Sequence, residues 1–120
     1  MALGTTMKSA VKRIADALMA FASKEGWNPN EYQILFYRSS RWGRIRVFFI
    51  TKDFGGLSRK DMWLRAYDHL KEELAKGPDI GYSVRLSVRD RSQVNQGGAY
   101  SVPPGYIDFK ELLLTPSVAD

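Results

Sequence analysis

Apolar positions Met7, Val11, Ile14, Leu18 and Phe21 recur at alternating spacings of four and three, the stripe of an amphipathic helix. Thr6 stands where an N-cap belongs, and alanines between the stripe positions favour helix and close packing. Gly26 occupies the place of a left-handed C-cap, with Trp27 as the hydrophobic contact behind it. Asn28-Pro29-Asn30 then predicts a turn, because proline sets φ and asparagine tolerates turn geometry. The period next shortens to two. Tyr32 to Arg38 reads as a first strand, and Ser39 to Gly43 as a hairpin loop.

The stretch from Arg44 to Leu74 organises the rest. In its strand, Arg44 to Thr51, Ile45, Val47 and Phe49 point one way, and Arg44, Arg46, Phe48 and Ile50 the other. One face is therefore core throughout; the other is wet at the hairpin end and apolar at the far end. Gly55-Gly56 ends the strand, and Ser58 with Asp61 has the spacing of a capping box for a second helix. Trp63, Tyr67, Leu70 and Leu74 form its expected buried stripe, flanked by Met62 and Ala66, and Gly77-Pro78 stops it. From Tyr82 to Arg91, Tyr82, Val84, Leu86 and Val88 alternate with Ser83, Arg85, Ser87 and Arg89, a strand with one dry and one wet face. The Gly- and Pro-rich 93–105 predicts a flexible loop, 106–114 a short apolar helix or strand that Phe48 and Ile50 could receive, and Thr115 to Asp120 a frayed end.

The expected fold is α+β: a two-layer αββαβ sandwich, two helices on one face of a three-stranded sheet, followed by a C-terminal loop and closing segment. The 120 residues suit a single domain with a core over about 6–92. The absence of cysteine removes disulfides, thiolate zinc sites, cysteine-ligated clusters and cysteine nucleophiles. No apolar run reaches membrane-spanning length, and Lys8, Lys12, Arg13 and Asp16 interrupt the first apolar stretch, unlike a signal peptide. A cytoplasmic protein without membrane association is expected.

Charge alters the picture more. Of the net +5, the window from Arg38 to Arg65 alone holds eight basic residues against Asp53 and Asp61, leaving the remainder slightly acidic. Such local excess attracts polyanions, because the fields add within a Debye length of about 8–10 Å. Arg38, Arg41, Arg44 and Arg46 cluster around the hairpin with Tyr37 and Trp42, and Arg85 and Arg89 extend the field if the third strand shares its wet face. Arginine forks for phosphate beside an aromatic face for a base suit single-stranded nucleic acid. The alternative is a protein partner or homodimer using Phe48, Ile50, Tyr106 and Phe109. The bland reading is a solubilising surface.

Catalysis finds no support. His69 is the only histidine and flanks the helix stripe, where packing or surface polarity accounts for it. Asp53-Phe54-Gly55 spells the magnesium triplet of protein kinases, but the other kinase motifs are missing. Glu72, Glu73, Asp79, Asp90 and Asp108 show no spacing that predicts a shared site. No cofactor or metal is expected, and no enzyme.

Phe54, Gly56, Tyr67 and Leu70 fall at the offsets of the Phe-x-Gly and Tyr-x-x-Leu elements of the BolA family. Together with the helix-strand-strand-helix-strand order, this resembles the type II KH arrangement on which that family is built. The resemblance covers about Met7 to Arg91 and implies that scaffold and a tendency toward nucleic-acid contact. BolA proteins carry Arg-His at the start of the second helix, where Met62 and Trp63 stand here, so the iron–sulfur ligand and its glutaredoxin-linked role do not carry over. The Gly-x-x-Gly clamp of RNA-binding KH domains is also missing.

Overall fold

The computed structural model describes residues 3–38, 42–114 and 117–118. Its elements are β1 (Leu3–Gly4), α1 (Thr5–Lys24), β2 (Tyr32–Tyr37), β3 (Arg44–Thr51), α2 (Arg59–Ala75), β4 (Ser83–Asp90), α3 (Arg91–Gln96), β5 (Tyr106–Asp108), α4 (Phe109–Leu114) and β6 (Ser117–Val118). The α+β class stands, but the sheet has four strands, ordered β4-β3-β2-β5. β2 pairs antiparallel with both β3 and β5, and β3 pairs parallel with β4. A separate two-residue parallel bridge joins Leu3–Gly4 to Ser117–Val118, within what the sequence suggested was a frayed end.

Local signals explain the main boundaries. Gly26 has φ +81°, its N–H reaches the Ser23 carbonyl, and Trp27 N–H reaches Ala22. That is a Schellman ending, sealed by Trp27 edge-on to Phe21 at 5.9 Å. Ser58 Oγ accepts the Asp61 N–H at 3.1 Å, starting α2 where the capping signal put it. Thr6, by contrast, lies inside α1, and its hydroxyl meets the Tyr82 hydroxyl at 3.2 Å. At the other end of α2, Arg13 reaches across from α1 to donate to the Leu74 carbonyl at 3.0 Å and to that of Pro78. These partners satisfy carbonyls that the helix end leaves open. Arg13→Ala should therefore cost about 1 kcal/mol of stability in urea unfolding, with the slope unchanged.

Both long helices cover one sheet face. Val11, Ile14, Leu18 and Phe21 of α1 share a core with Ile34, Phe36, Ile45, Val47, Phe49, Leu86 and Val88. On α2 the buried line is Met62, Ala66 and Leu70, whereas Trp63, Tyr67 and Leu74 are only half-buried. The expected stripe is thus rotated. Ala66 is fully buried, a small side chain that permits close approach of the helix, while Trp63 lies half-buried with its indole on the Leu86 carbonyl.

The segment read as a flexible loop is partly ordered. Asp90 caps α3 by accepting the Ser92 N–H at 2.7 Å, while Gln93 reaches back to the Asp90 N–H at 3.4 Å. A single 3-10 turn, Gly98–Tyr100, follows. β4 and β5 are parallel and lie at opposite edges, so this segment must cross the sheet. The β3-to-β4 and β4-to-β5 connections step across it in opposite directions. The right-handed rule for such crossovers then places the second on the face opposite α2. Gly105 ends the crossing, where a Cβ would stand 2.8 Å from the Tyr37 ring and φ is +96°.

Candidate functional site

The strand registers assemble the sheet face opposite α1 and α2. Arg46 lies directly beside Arg85, Phe48 beside Ser87, and Ile50 beside Arg89. On the other side, Leu35 pairs with Phe48 and Asp108, and Tyr37 with Tyr106. Phe48 and Ile50 are 5% and 2% exposed yet lie outside the helix-side core. The Tyr106 ring meets Phe48 edge-on at 4.7 Å, and the Arg89 guanidinium lies 5.1 Å above it. Phe109, 7% exposed, joins the core beneath the helices with Leu112. The surface suggested for a protein partner is therefore consumed within the chain. Phe48, Ile50 and Phe109 present no apolar face, and Tyr106 is one of their covers.

At the hairpin end the face is polar. Arg44 and Arg85 are exposed, and Arg46 is half-buried with its guanidinium 4.1 Å from the centre of the Tyr37 ring. Tyr37 also packs edge-on to Tyr106 at 5.3 Å, so its ring is occupied. Burial pushes the Tyr106 phenol above its ordinary range, opposed by the positive charges of Arg46, Arg85 and Arg89. Among the described residues, none of Arg44, Arg46 and Arg85 forms an ion pair. Arg46 and Arg85 are thus like-charged neighbours in the β3–β4 register, and the Arg46 guanidinium leans over Tyr37 on the β2 side. Among the described residues no carboxylate pairs with either guanidinium, which leaves both able to meet an external anion.

The other basic positions separate. Arg38 follows Tyr37 on the β5 side, its N–H bonded to Gly105, away from β4. Lys52 pairs with Glu31 at 3.3 Å and Arg65 with Glu25, which neutralises both. Arg59 and Lys60 lie in the first turn of α2. Arg41 lies outside the described residues. Trp42 is 95% exposed with φ +58°, a conformation that is rare for a bulky residue.

His69 is half-buried, 5.6 Å from the Phe21 ring and 3.9 Å from Glu73. Among the described residues no three His, Asp or Glu side chains gather as a metal site, and no helix is long and apolar enough to cross a membrane. Comparison with protein-family models, curated proteins and solved structures finds no match to this chain.

Proposed function

We propose that this protein is a non-catalytic nucleic-acid-binding domain that holds phosphate on the sheet face opposite α1 and α2, at its hairpin end, through Arg44, Arg46 and Arg85. The observation that carries the reading is the direct juxtaposition of Arg46 and Arg85 across the β3–β4 ladder, without a carboxylate partner among the described residues. Guanidinium groups match phosphate geometry through paired N–H donors. Tyr37 supports Arg46 from below, which limits the rotamer freedom lost on binding. Trp42 supplies the stacking surface. An exposed indole in a left-handed conformation costs about 1–3 kcal/mol of backbone strain and is retained where it serves an encounter. The resemblance to the type II KH arrangement supports the reading at the level of scaffold alone.

Salt dependence provides the test. Three phosphate contacts predict a log K against log salt slope of about −2 for single strands. Arg46→Ala should reduce that slope by about 0.7. A slope near zero would reject phosphate as the group recognised.

A further inference from the structure

The α2 flank that leaves the core carries a second constellation. Trp63 and Tyr67 stack 4.7 Å apart with their planes 8° from parallel, beside the outer edge of β4. A cavity of about 430 Å³ adjoins Trp63, bounded by Arg59, Lys60 and residues 86–89. Another of about 490 Å³ adjoins Trp63 and Tyr67 and reaches Arg44 and Arg85. Neither is lined by a carboxylate.

The backbone of the edge decides what this groove can take. Ser83 N–H bonds the Gly43 carbonyl, so Ser83, Arg85, Ser87 and Arg89 turn their backbone groups toward β3. Val84, Leu86 and Val88 turn theirs outward. The outward Leu86 carbonyl accepts the Trp63 indole N–H at 2.8 Å, and the Asp90 N–H is held by Gln93. A peptide adding as a further strand finds the middle of its ladder occupied, so strand addition is blocked. A second copy of this chain meets the same obstacle and brings like charges together as well. What remains is side-chain chemistry, cations beside a π-face, which is how unpaired nucleic acid is held.

We propose that the α2–β4 groove is a base-stacking subsite that selects unpaired over paired strands, an inference that rests on the nucleic-acid reading above. A base enters the cavity beside Lys60 and stacks on Trp63, which lines it. Arg85, at the border of groove and sheet face, holds the adjoining phosphate. A duplex keeps its bases stacked inside and cannot make this contact.

The test compares a short oligothymidylate with its duplex on the full chain at one salt concentration, and repeats it with Lys60→Glu and Trp63→Phe. Wild type should bind the single strand about tenfold tighter than the duplex or better, and Lys60→Glu should lose about fivefold of single-strand affinity. The indole N–H resonance that disappears in Trp63→Phe should move when wild type binds. Lys60 is exposed in the first turn of α2, where an added acid suits the helix dipole, so the variant stays folded. Equal affinity for duplex, an indifferent Lys60→Glu, a stationary indole resonance or equal competition by polyglutamate overturns the groove. Binding abolished by Arg46→Glu and untouched by Lys60→Glu sinks the groove and leaves the sheet-face reading intact. Failure of wild type to bind either strand sinks both.

Discussion

Arg85→Glu should make the protein slightly more stable while nearly abolishing its affinity for oligonucleotides. Glutamate at this position replaces a like-charge cross-strand neighbour of Arg46 with an opposite-charge one, a change worth about 0.2–1 kcal/mol in favour of the fold. On the proposed function, the same substitution removes a phosphate contact and places a negative charge where the ligand's charge would sit. Affinity at low salt should fall by about tenfold to a hundredfold. Urea unfolding and fluorescence anisotropy on one preparation measure both effects. An ordinary solubilising arginine would give a stability change without a binding change, and a destabilised variant would mean that Arg85 holds the sheet together by some other contact.

Phe49→Ala should cost about 3–5 kcal/mol, a large part of the roughly 5–15 kcal/mol that holds a domain of this size. Phe49 is fully buried at the centre of the sheet's helical face. Its ring lies 6.1 Å from Phe21, 6.0 Å from Trp27 and 5.9 Å from Tyr32. It therefore links the Schellman ending of α1, the start of β2 and the middle of β3, and no neighbour can fill the space without leaving another cavity. Thermal and urea unfolding would show the loss. A cost below about 1 kcal/mol would mean that the three rings close over the gap and that the core is not organised around this residue.

What the sequence made legible was local. The Gly26-Trp27 ending, the Ser58 cap and the alternation of β3 each depend on residues within a few positions of one another, and each is present as expected. The centre of the α2 stripe was displaced toward its expected flank of Met62 and Ala66, with Leu70 common to both, because Trp63 and Tyr67 outweigh Ala66 in hydrophobicity. Proximity to the sheet rewards the smaller side chain. Composition also misled over 93–105, where glycine and proline suggested a flexible loop. The Asp90-x-x-Gln93 spacing was the signal that a capped turn begins there. The closing segment 106–114 was legible as a short helix or strand, and it holds both β5 and α4. That β5 joins the sheet beside β2 left no local trace, since it is three residues long and pairs with a strand far back in the chain.

The candidate site followed the same division. Arg44 and Arg46 could be placed on the polar half of β3 from alternation alone. That Arg85 lies beside Arg46 is a matter of parallel register, which no short motif encodes. That Lys52 and Arg65 are neutralised by Glu31 and Glu25 depends equally on tertiary contacts. The basic window is thus less uniform than its charge suggests, and the part facing outward on the sheet is smaller and more sharply placed.

The proposed function requires guanidinium groups from two strands to act as one anion-binding surface. Its most direct measurement is a titration of the arginine side-chain Nε–H resonances with a short oligothymidylate. Arg44, Arg46 and Arg85 should shift together with one dissociation constant, while Arg13 and Arg65, already held by the Leu74 carbonyl and by Glu25, stay in place. Saturation without movement of Arg46 and Arg85, or equal movement of every arginine, would contradict it.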